Sequence, residues 1–236
     1  MSEPPLSVVI PAYNEAARLE PTLRRVMDYL REREPAAEIV VVDDGSTDGT
    51  AALARSVGVD WPALRVIELG ENRGKGAAVR AGMVAARGAQ VLFTDADLAT
   101  PIDQLGRLRA SLAEGNDIAI ASRAVDGADV QVRQRFPREL IGRTFNWIAR
   151  AAGVGAIRDT QCGFKLFTRE AAHDLFGRAT VDGFAFDVEV LMLARGSYRV
   201  AEVPVVWLHV EESKVSSLGG ARAFLDLVRL RFKHRR

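Results

Sequence analysis

The sequence has little cysteine, little net charge and no long hydrophobic run. Its one cysteine, Cys162, in 236 residues excludes an internal disulfide and makes the reducing cytosol the expected compartment. Lysine and arginine number 32 against 31 acidic residues, a formal charge of +1, so charge predicts no nucleic acid partner. No apolar stretch reaches the roughly 20 residues of a membrane-spanning helix, and we expect no secretory signal in the short polar N-terminus.

Several catalytic motifs are also absent. No G-x-G-x-x-G follows the first predicted strand, which argues against a dinucleotide-dependent oxidoreductase. The three histidines are far apart in the sequence and lack the spacing of zinc ligands. Ser46, Ser122 and Cys162 lack the context of a catalytic nucleophile, so Cys162 is expected to be a packing residue.

The first half of the chain alternates short apolar runs with amphipathic segments. The runs are continuous rather than alternating, which is typical of strands buried on both faces. Such β-α repeats predict an α/β fold with a mostly parallel sheet flanked by helices. Strands are predicted at 7–11, 38–42, 64–69, 89–94 and 117–121, and helices at 16–33, from Thr47 or Asp48 to 57, at 74–87 and at 101–113.

The second half is less regular and begins with a polar, arginine-bearing loop at 126–138. No linker separates the halves, so we expect one domain over 1–236. The predicted elements are an amphipathic helix at 139–152, a short strand at 165–168, a buried helix at 186–194 with Asp187 and Glu189, one or two strands at 199–208 bent at Pro204, and a basic amphipathic helix at 219–236.

Asp95-Ala96-Asp97 directly follows the apolar run 91–94, at the carboxyl end of a predicted strand. Ligands bind at this edge of an open parallel sheet. Carboxylates at i and i+2 of an extended segment point the same way, and such oxygens suit Mg²⁺ or Mn²⁺ shared with substrate phosphates. A solvated turn or a helix cap before Pro101 is the alternative interpretation.

Three further polar loops follow strands, at 11–15, 43–48 and 72–76. Asp44 is a candidate to bind ring N–H groups or ribose hydroxyls, although Asp-Gly-Ser-Thr-Asp is also a good capped turn. Arg73 and Lys75 stand among glycines that let the backbone approach phosphates, although an ordinary turn with solvated cations fits as well. Together with Asp95 and Asp97, these loops predict a site for an anion held with a divalent cation.

The motifs resemble those of family 2 glycosyltransferases with the GT-A fold. The resemblance rests on Pro-Ala-Tyr-Asn-Glu at 11–15, Val-Val-Asp-Asp-Gly-Ser-Thr-Asp-Gly-Thr at 41–50 and Asp-Ala-Asp at 95–97. The blocks at 72–80, 122–123, 158–167 and 185–189 narrow it to dolichyl-phosphate β-glucosyltransferases and prokaryotic polyprenyl-phosphate relatives. The resemblance implies transfer of a hexose from a nucleotide sugar, with UDP-glucose expected, to a lipid phosphate at the cytoplasmic membrane face.

The resemblance also implies roles for individual residues. The implied metal ligands for Mg²⁺ or Mn²⁺ are Asp95 and Asp97, and the implied catalytic residues are these two with Arg123 and Asp159. The implied nucleotide-sugar contacts are Pro11, Tyr13, Glu15, Asp44, Lys75, Asp95, Ala96 and Gln161. The implied acceptor-phosphate contacts are Arg135, Arg138 and Lys214, with Arg133 in the same loop. Residues 1–123 would bind the nucleotide sugar and 124–218 the acceptor.

A phosphate acceptor is already an anion, so inverting displacement needs positioning rather than a general base. Asp159 and Asp187 remain candidates to orient sugar hydroxyls, or to act as a base if the acceptor is an alcohol. The helices at 139–152 and 219–236 are candidate membrane-surface contacts, with a core or homodimer role as the alternative.

The chain departs from the family pattern at two points that concern the acceptor. Relatives often carry transmembrane helices. Related mannose-phosphate synthases often place an arginine ahead of the Ser-Lys that is Ser213-Lys214 here, where this chain has His209-Val210-Glu211-Glu212. A family 2 enzyme with a soluble or polysaccharide acceptor is therefore an alternative. A nucleotide-sugar-binding protein or a nucleotidyltransferase on the same scaffold is a third hypothesis.

Overall fold

The computed structural model describes residues 3–130 and 153–208, together with Asp226 and Leu230. The predicted helix at 139–152 and the predicted acceptor contacts Arg133, Arg135, Arg138 and Lys214 lie outside these residues. Of the predicted helix at 219–236, the described pair Asp226 and Leu230 is helical. In the described ranges, no helix combines the length and apolar character needed to cross a bilayer.

The described part alternates strands and helices much as the sequence predicts. The strands are β1 (Leu6–Ala12), β2 (Glu38–Asp43), β3 (Leu64–Glu68), β4 (Gln90–Thr94), β5 (Ile118–Ser122), β6 (Asp129–Val130), β7 (Phe164–Thr168), β8 (Val200–Pro204) and β9 (Val206–Trp207). The α-helices are α1 (Ala16–Arg33), α2 (Thr50–Gly58), α3 (Lys75–Ala85), α4 (Leu105–Ala113), α5 (Arg169–Arg178) and α6 (Phe186–Ala194), and a 3₁₀ turn at Ile102–Gln104 precedes α4.

Seven strands form one sheet in the order β3-β2-β1-β4-β7-β5-β8. All neighbours are parallel except β7, which runs antiparallel to both β4 and β5. The predicted α/β fold with a mostly parallel sheet is confirmed. Because β7 is reversed, its first residue lies at the edge where β4 and β5 end, and it brings the segment 159–163 to that edge.

The core lies on both faces of this sheet. One apolar cluster joins the strands to α1, α2 and α4, and the other joins them to α3, α5, α6 and Leu230. The spacing that predicts α1 is the spacing of the residues it buries, including Leu19, Leu23 and Leu30. Leu230 is 2% exposed, so this apolar residue of the predicted C-terminal helix packs on the domain.

Two local expectations are corrected. The helix after β2 begins at Thr50, with Gly49 at its N-cap position in the left-handed region at φ 88°. Asp48 still accepts the Thr50 backbone N–H at 3.1 Å, but the Thr47 N–H donates to the Asn14 side chain instead. Helix α5 was not predicted from the sequence, although Thr168 caps it by accepting the N–H of Ala171.

Gly82 sets how closely α3 approaches the sheet. A Cβ there would lie 2.4 Å from Val9 Cγ1 and 2.8 Å from Val42 Cγ2. We expect Gly82→Ala to lower the free energy of unfolding by about 1–3 kcal/mol through overpacking, as measured by chemical denaturation. Gly106→Ala in α4, where nothing lies within 4 Å, should raise it by about 0.5–1 kcal/mol. Equal effects of the two substitutions would contradict this account.

Candidate active site at the carboxyl edge of the sheet

The Asp95–Asp97 loop is held on both sides by other parts of the fold. The Asp95 backbone N–H donates to the Gly163 carbonyl at 3.0 Å, and the Thr22 hydroxyl of α1 donates to the Ala96 carbonyl at 2.6 Å. Asp97 Oδ1 accepts the Ala99 N–H at 3.0 Å. The loop is thus presented at the edge mainly by hydrogen bonds to its backbone and to one oxygen of Asp97.

Lys75, the first residue of α3, forms an ion pair with this loop. Its ammonium lies 2.7 Å from Asp95 Oδ1 and 5.6 Å from the centre of the Phe93 ring. Burial lowers the pKa of Lys75, but the carboxylates of Asp95 and Asp187 outweigh burial and raise it. Lys75 therefore stays charged at neutral pH, as a group that binds phosphate requires.

The two carboxylates fit a divalent cation that is shared with a diphosphate. Burial, and then the charge of Asp95, raise the pKa of Asp97, so the pair gains from a nearby cation. A Cβ at Gly163 would lie 1.9 Å from Asp95 Oδ2, so the missing side chain makes room for this carboxylate. Within the described ranges no three His, Cys, Asp or Glu side chains are grouped to hold a metal, so substrate oxygens would complete the Mg²⁺ or Mn²⁺ shell.

The loops after β2 and β3 are joined through Asp44. Its carboxylate accepts the backbone N–H groups of Arg73 at 2.8 Å and Gly74 at 2.9 Å, and burial raises its pKa. Gly45 lies so close that a Cβ would be 2.3 Å from the Glu71 carbonyl carbon. Asp44 thus fixes the loop that carries Lys75, a role that the sequence did not indicate.

The neighbouring carboxylate, Asp43, has one buried oxygen without a hydrogen-bond donor among the described residues. Asp43 is 2% exposed, and its Oδ2 accepts the Ser46 N–H at 3.1 Å. Among the described residues, no group donates to its buried Oδ1. A buried acceptor without a donor is costly, so the acidic end of β2 is suited to an incoming N–H or hydroxyl group.

The loop after β1 is joined to the same region. The Asn14 N–H donates to the Ser46 hydroxyl and the Glu15 N–H to the Thr50 hydroxyl, both at 2.8 Å. The Glu15 carboxylate pairs with Arg18 at 2.6 Å. Tyr13 follows Pro11 at the end of β1 and is 41% exposed, so its ring is accessible at this edge. The predicted residues of the first loop are therefore brought beside those of the second.

Arg123 and Asp159, both predicted site residues, form a bidentate ion pair. Arg123 Nε and a terminal nitrogen donate to the two oxygens of Asp159 at 2.7 and 2.9 Å. Burial raises the pKa of Asp159, but Arg123 outweighs it and the net shift is downward. Glu202 of β8 accepts the Asp159 N–H at 3.0 Å. Sequence reasoning missed Glu202, whose only signal was a carboxylate within a strand.

We expect Arg123→Met to lower the free energy of unfolding by about 3 kcal/mol at pH 7.5, because it leaves the buried Asp159 charge unpaired. In the wild type the depressed pKa stabilises the fold at neutral pH, and this stabilisation is lost below the ordinary value of 3.8. In the variant the guanidinium no longer opposes burial, although the backbone N–H of residue 123 and the charge of Lys165 still do. The pKa of Asp159 therefore rises, and the deficit shrinks as the pH falls from 7.5 to 5.

Chemical denaturation across this pH range measures the deficit of Arg123→Met. Arg178→Met removes the exposed pair with Asp174 and should cost less than about 1 kcal/mol at every pH. A deficit of Arg123→Met that stays constant from pH 7.5 to 5 would contradict the assignment of the buried charge.

The segment between Asp159 and β7 supplies further groups to the site. Gln161 Nε2 is buried, and no acceptor for it exists in the part of the chain that the structure describes. Burial, and then the charge of Asp159, raise the pKa of the Cys162 thiol to about 11. Cys162 is 2% exposed and stays protonated, in agreement with the expected packing role.

Asp187, a predicted candidate to orient sugar hydroxyls, is buried beside Lys165. Their Oδ1 and Nζ atoms are 2.5 Å apart, and burial raises the pKa of Asp187 despite this cation. Glu189 on the same helix accepts the backbone N–H groups of Thr180 and Val181. Sequence reasoning missed Lys165, although a lysine inside an apolar strand is itself an unusual signal.

Comparison with known proteins gives the same classification over most of the chain. The model of "Glycosyl transferase family 2" matches residues 7–176. A dolichyl-phosphate beta-glucosyltransferase of Trichomonas vaginalis is 41% identical over an alignment of 241 residues. This alignment covers 97% of this chain and 71% of that protein. The Homo sapiens protein of the same name is 41% identical over 226 residues, 89% of this chain and 69% of that protein.

Solved structures share the fold at lower sequence identity. Glucosyl-3-phosphoglycerate synthase from Mycobacterium tuberculosis, in complex with Mn²⁺, UDP and glucosyl-3-phosphoglycerate, superposes with a TM-score of 0.71 at 23% identity, covering 96% of this chain and 80% of that one. Mannosyl-3-phosphoglycerate synthase from Rubrobacter xylanophilus gives a TM-score of 0.69 at 22% identity, with 99% and 76% covered. The predicted GT-A fold is confirmed.

Proposed function

Because the chain belongs to glycosyl transferase family 2, we propose that this glycosyltransferase moves glucose from UDP-glucose to a dolichyl or other polyprenyl phosphate, with inversion at the anomeric carbon. The relatives named dolichyl-phosphate beta-glucosyltransferase support the sugar and the acceptor. The observation that carries the proposal is the Asp95–Asp97 loop, with Lys75 bound to it, at the carboxyl edge of the sheet.

The nucleotide half of the donor would occupy the joined loops of β1, β2 and β3. Tyr13 is exposed there for stacking, Asp43 offers its unused acceptor, and Asp44 holds the loop of Lys75 in place. Pro11, Glu15 and Ala96 would line this part of the site, and Gln161 would donate to the sugar. The Lys75 ammonium, which pairs with Asp95, would also interact with the donor phosphates.

Asp95 and Asp97 would hold the Mg²⁺ or Mn²⁺ ion, which when bound neutralises charge on the departing diphosphate. The acceptor phosphate oxygen forms the new bond to the anomeric carbon as the bond to UDP breaks, and the electron pair leaves with UDP. Attack opposite the leaving group converts an α-linked donor into a β-linked product. The acceptor enters as an anion, so it needs placement and not deprotonation.

Asp159 acts on this chemistry through Arg123 rather than as a base. Its two carboxylate oxygens are bound to the Arg123 guanidinium, and its lowered pKa makes it a weak proton acceptor. A fixed, fully charged Arg123 would face the phosphates of donor or acceptor. Arg135, Arg138 and Lys214 are the proposed further contacts of the acceptor phosphate.

We also propose that the enzyme works at the cytoplasmic membrane face as a peripheral protein. A polyprenyl chain stays in the bilayer, so the acceptor phosphate is met at its surface. The basic residues of 219–236 would contact anionic lipid, while Leu230 packs into the domain and not toward lipid. The alternative role of residues 219–236 is to form the contact of a homodimer instead of a contact with the membrane.

The proposal predicts that purified protein with UDP-glucose, Mn²⁺ or Mg²⁺ and a polyprenyl phosphate forms a β-linked glucolipid and UDP, and that EDTA stops the reaction. Product is measured by radiolabel extraction, and its anomeric configuration by proton NMR. The double variant Arg135→Ala/Arg138→Ala should raise the KM for the lipid about tenfold or more, with the KM for UDP-glucose unchanged.

The second candidate is transfer to a soluble phosphorylated acceptor, because the fold is shared with a synthase crystallised with phosphoglyceric acid. Parallel reactions with 3-phosphoglycerate and with a neutral polysaccharide separate these cases. Turnover of a soluble acceptor and none of the polyprenyl phosphate would replace the first proposal by the second. Binding of UDP-glucose without release of UDP in the presence of any of these acceptors would contradict both proposals.

A further inference from the structure

We propose that the buried Lys165–Asp187 ion pair is a positioning device for the catalytic loop, acting through the segment 159–163. This inference rests on the proposed function, since it concerns the rate of the same glucosyl transfer. Both side chains are buried, at 2% and 5% exposure, and their hydrogen bonds are to each other and to the backbone of Cys162. They are therefore positioning residues and not catalytic ones.

The pair joins β7 to α6 from inside the domain. Lys165 Nζ donates to Asp187 Oδ1 at 2.5 Å and to the carbonyl of Cys162 at 2.7 Å. Asp187 stands in the first turn of α6. The ammonium thus has two fixed acceptors, one on a packed helix and one on the backbone just before β7, so it sets the position of the Cys162 peptide group.

The peptide group that Lys165 holds is next to the one that supports Asp95. The Gly163 carbonyl accepts the Asp95 N–H at 3.0 Å, and the absent Cβ of Gly163 makes room for the Asp95 carboxylate. On the other side of Cys162, the Gln161 N–H donates to Asp159 at 3.3 Å. A shift of the Cys162 carbonyl would therefore move the supports of Asp95 and Asp159 together.

The charges of the buried pair lie near a second, partly exposed ion pair, Lys75–Asp95. Lys165 Nζ and Lys75 Nζ each lie 5.6 Å from the centre of the Phe93 ring, and Asp95 pairs with Lys75. Two ammonium groups, each paired with a carboxylate, thus lie near one aromatic ring. A buried ion pair is weak evidence for stability alone, because apolar side chains of similar volume often serve as well. Its hydrogen bond to the Cys162 backbone gives this pair a geometric role.

The test replaces both charges at once, in Lys165→Met/Asp187→Leu, so that no unpaired charge remains to unfold the protein. We expect kcat for glucosyl transfer to fall about 10- to 100-fold, as displacement of a reacting group by about 1 Å can cause. The KM for UDP-glucose should stay within about threefold, since the contacts for the nucleoside in the loops after β1 and β2 are untouched. Amide hydrogen exchange at Asp95 should become faster, because its acceptor carbonyl is no longer held.

A matched control, Glu38→Gln/Arg65→Met, removes a partly buried pair between neighbouring strands, near the amino ends of β2 and β3. It should lower the melting temperature without a selective loss of kcat. The proposal is overturned if the Lys165/Asp187 double variant keeps kcat within about twofold. It is also overturned if the control, at an equal loss of melting temperature, loses as much kcat as the double variant does. If the double variant does not fold, Asp187→Asn keeps the side-chain shape and carries the same measurements.

The hydrogen-exchange arm separates this inference from the proposed function. If wild-type protein transfers no glucose from UDP-glucose, the proposed function fails, and Asp95 exchange alone decides the inference. Faster exchange at Asp95 in the variant then supports it, and unchanged exchange overturns it. If the wild type is active and the variant equally so, the proposed function stands and the positioning role is rejected.

Discussion

Replacing Asp97 by asparagine is expected to lower glucosyl transfer by about 1000-fold, while the fold is retained. The amide keeps the size of the side chain and the bond that Oδ1 accepts from the Ala99 N–H. What it loses is the charge that we propose to hold a divalent ion against the donor diphosphate, and such electrostatic contributions to the transition state are worth several kcal/mol. kcat at saturating UDP-glucose measures the loss, and titration calorimetry with Mn²⁺ should show weaker binding.

Stability should move in the opposite direction from activity. Burial and the charge of Asp95 raise the pKa of Asp97, so the ionised carboxylate destabilises the fold at pH values above that raised pKa. Asp97→Asn removes this penalty and should melt no lower than the wild type at pH 7.5. Asp103→Asn, an exposed carboxylate nearby in the chain whose partner Arg25 is 3.5 Å away, is the control and should leave both quantities unchanged. Wild-type transfer rates in Asp97→Asn would contradict the metal assignment.

Adding one methyl group at Gly163 is expected to reduce transfer by about 100-fold or more. A Cβ there would lie 1.9 Å from Asp95 Oδ2 and 2.3 Å from Asp95 Cγ. The Asp95 backbone is bound to the Gly163 carbonyl and its Oδ1 to Lys75, so the carboxylate must turn away or the loops must separate. Either movement displaces a metal ligand by an ångström or more, which is costly for a positioned reaction.

The loss of transfer in Gly163→Ala should exceed its loss of stability. Overpacking of this kind costs about 1–3 kcal/mol in the free energy of unfolding, too little to unfold most of the protein at 25 °C. Gly177→Ala in α5, where nothing lies within 4 Å, is the matched control and should leave the transfer rate unchanged. A fully active Gly163→Ala protein would show that the Asp95 carboxylate is not held where the structure places it.

Most of the regular elements could be predicted because they depend on local patterns. The helix at 16–33 has the predicted bounds, since its apolar spacing matches the face that α1 buries. The buried strands β1, β2, β4 and β5 read as continuous apolar runs because helices cover both of their faces. Helix α5 was missed because it begins directly after β7: Thr168 ends the strand and caps the helix, so no turn residues separate the two patterns.

The family could be read from the sequence, which also predicts the metal-binding motif and the edge of the sheet where we propose that the chemistry takes place. These follow from the order of residues in short segments, such as Asp95-Ala96-Asp97 after an apolar run. The tertiary structure alone decided how those residues are occupied: Arg123 holds Asp159, Asp44 holds the Lys75 loop, and Lys165 is buried against Asp187. For Asp159 and Lys165 the reason is that β7 runs antiparallel between β4 and β5 and brings its own segment to their carboxyl ends. For Asp44 it is that the neighbouring strands β2 and β3 end at the same edge. Strand direction and long-range ion pairs depend on contacts between residues far apart in the chain, which no local pattern records.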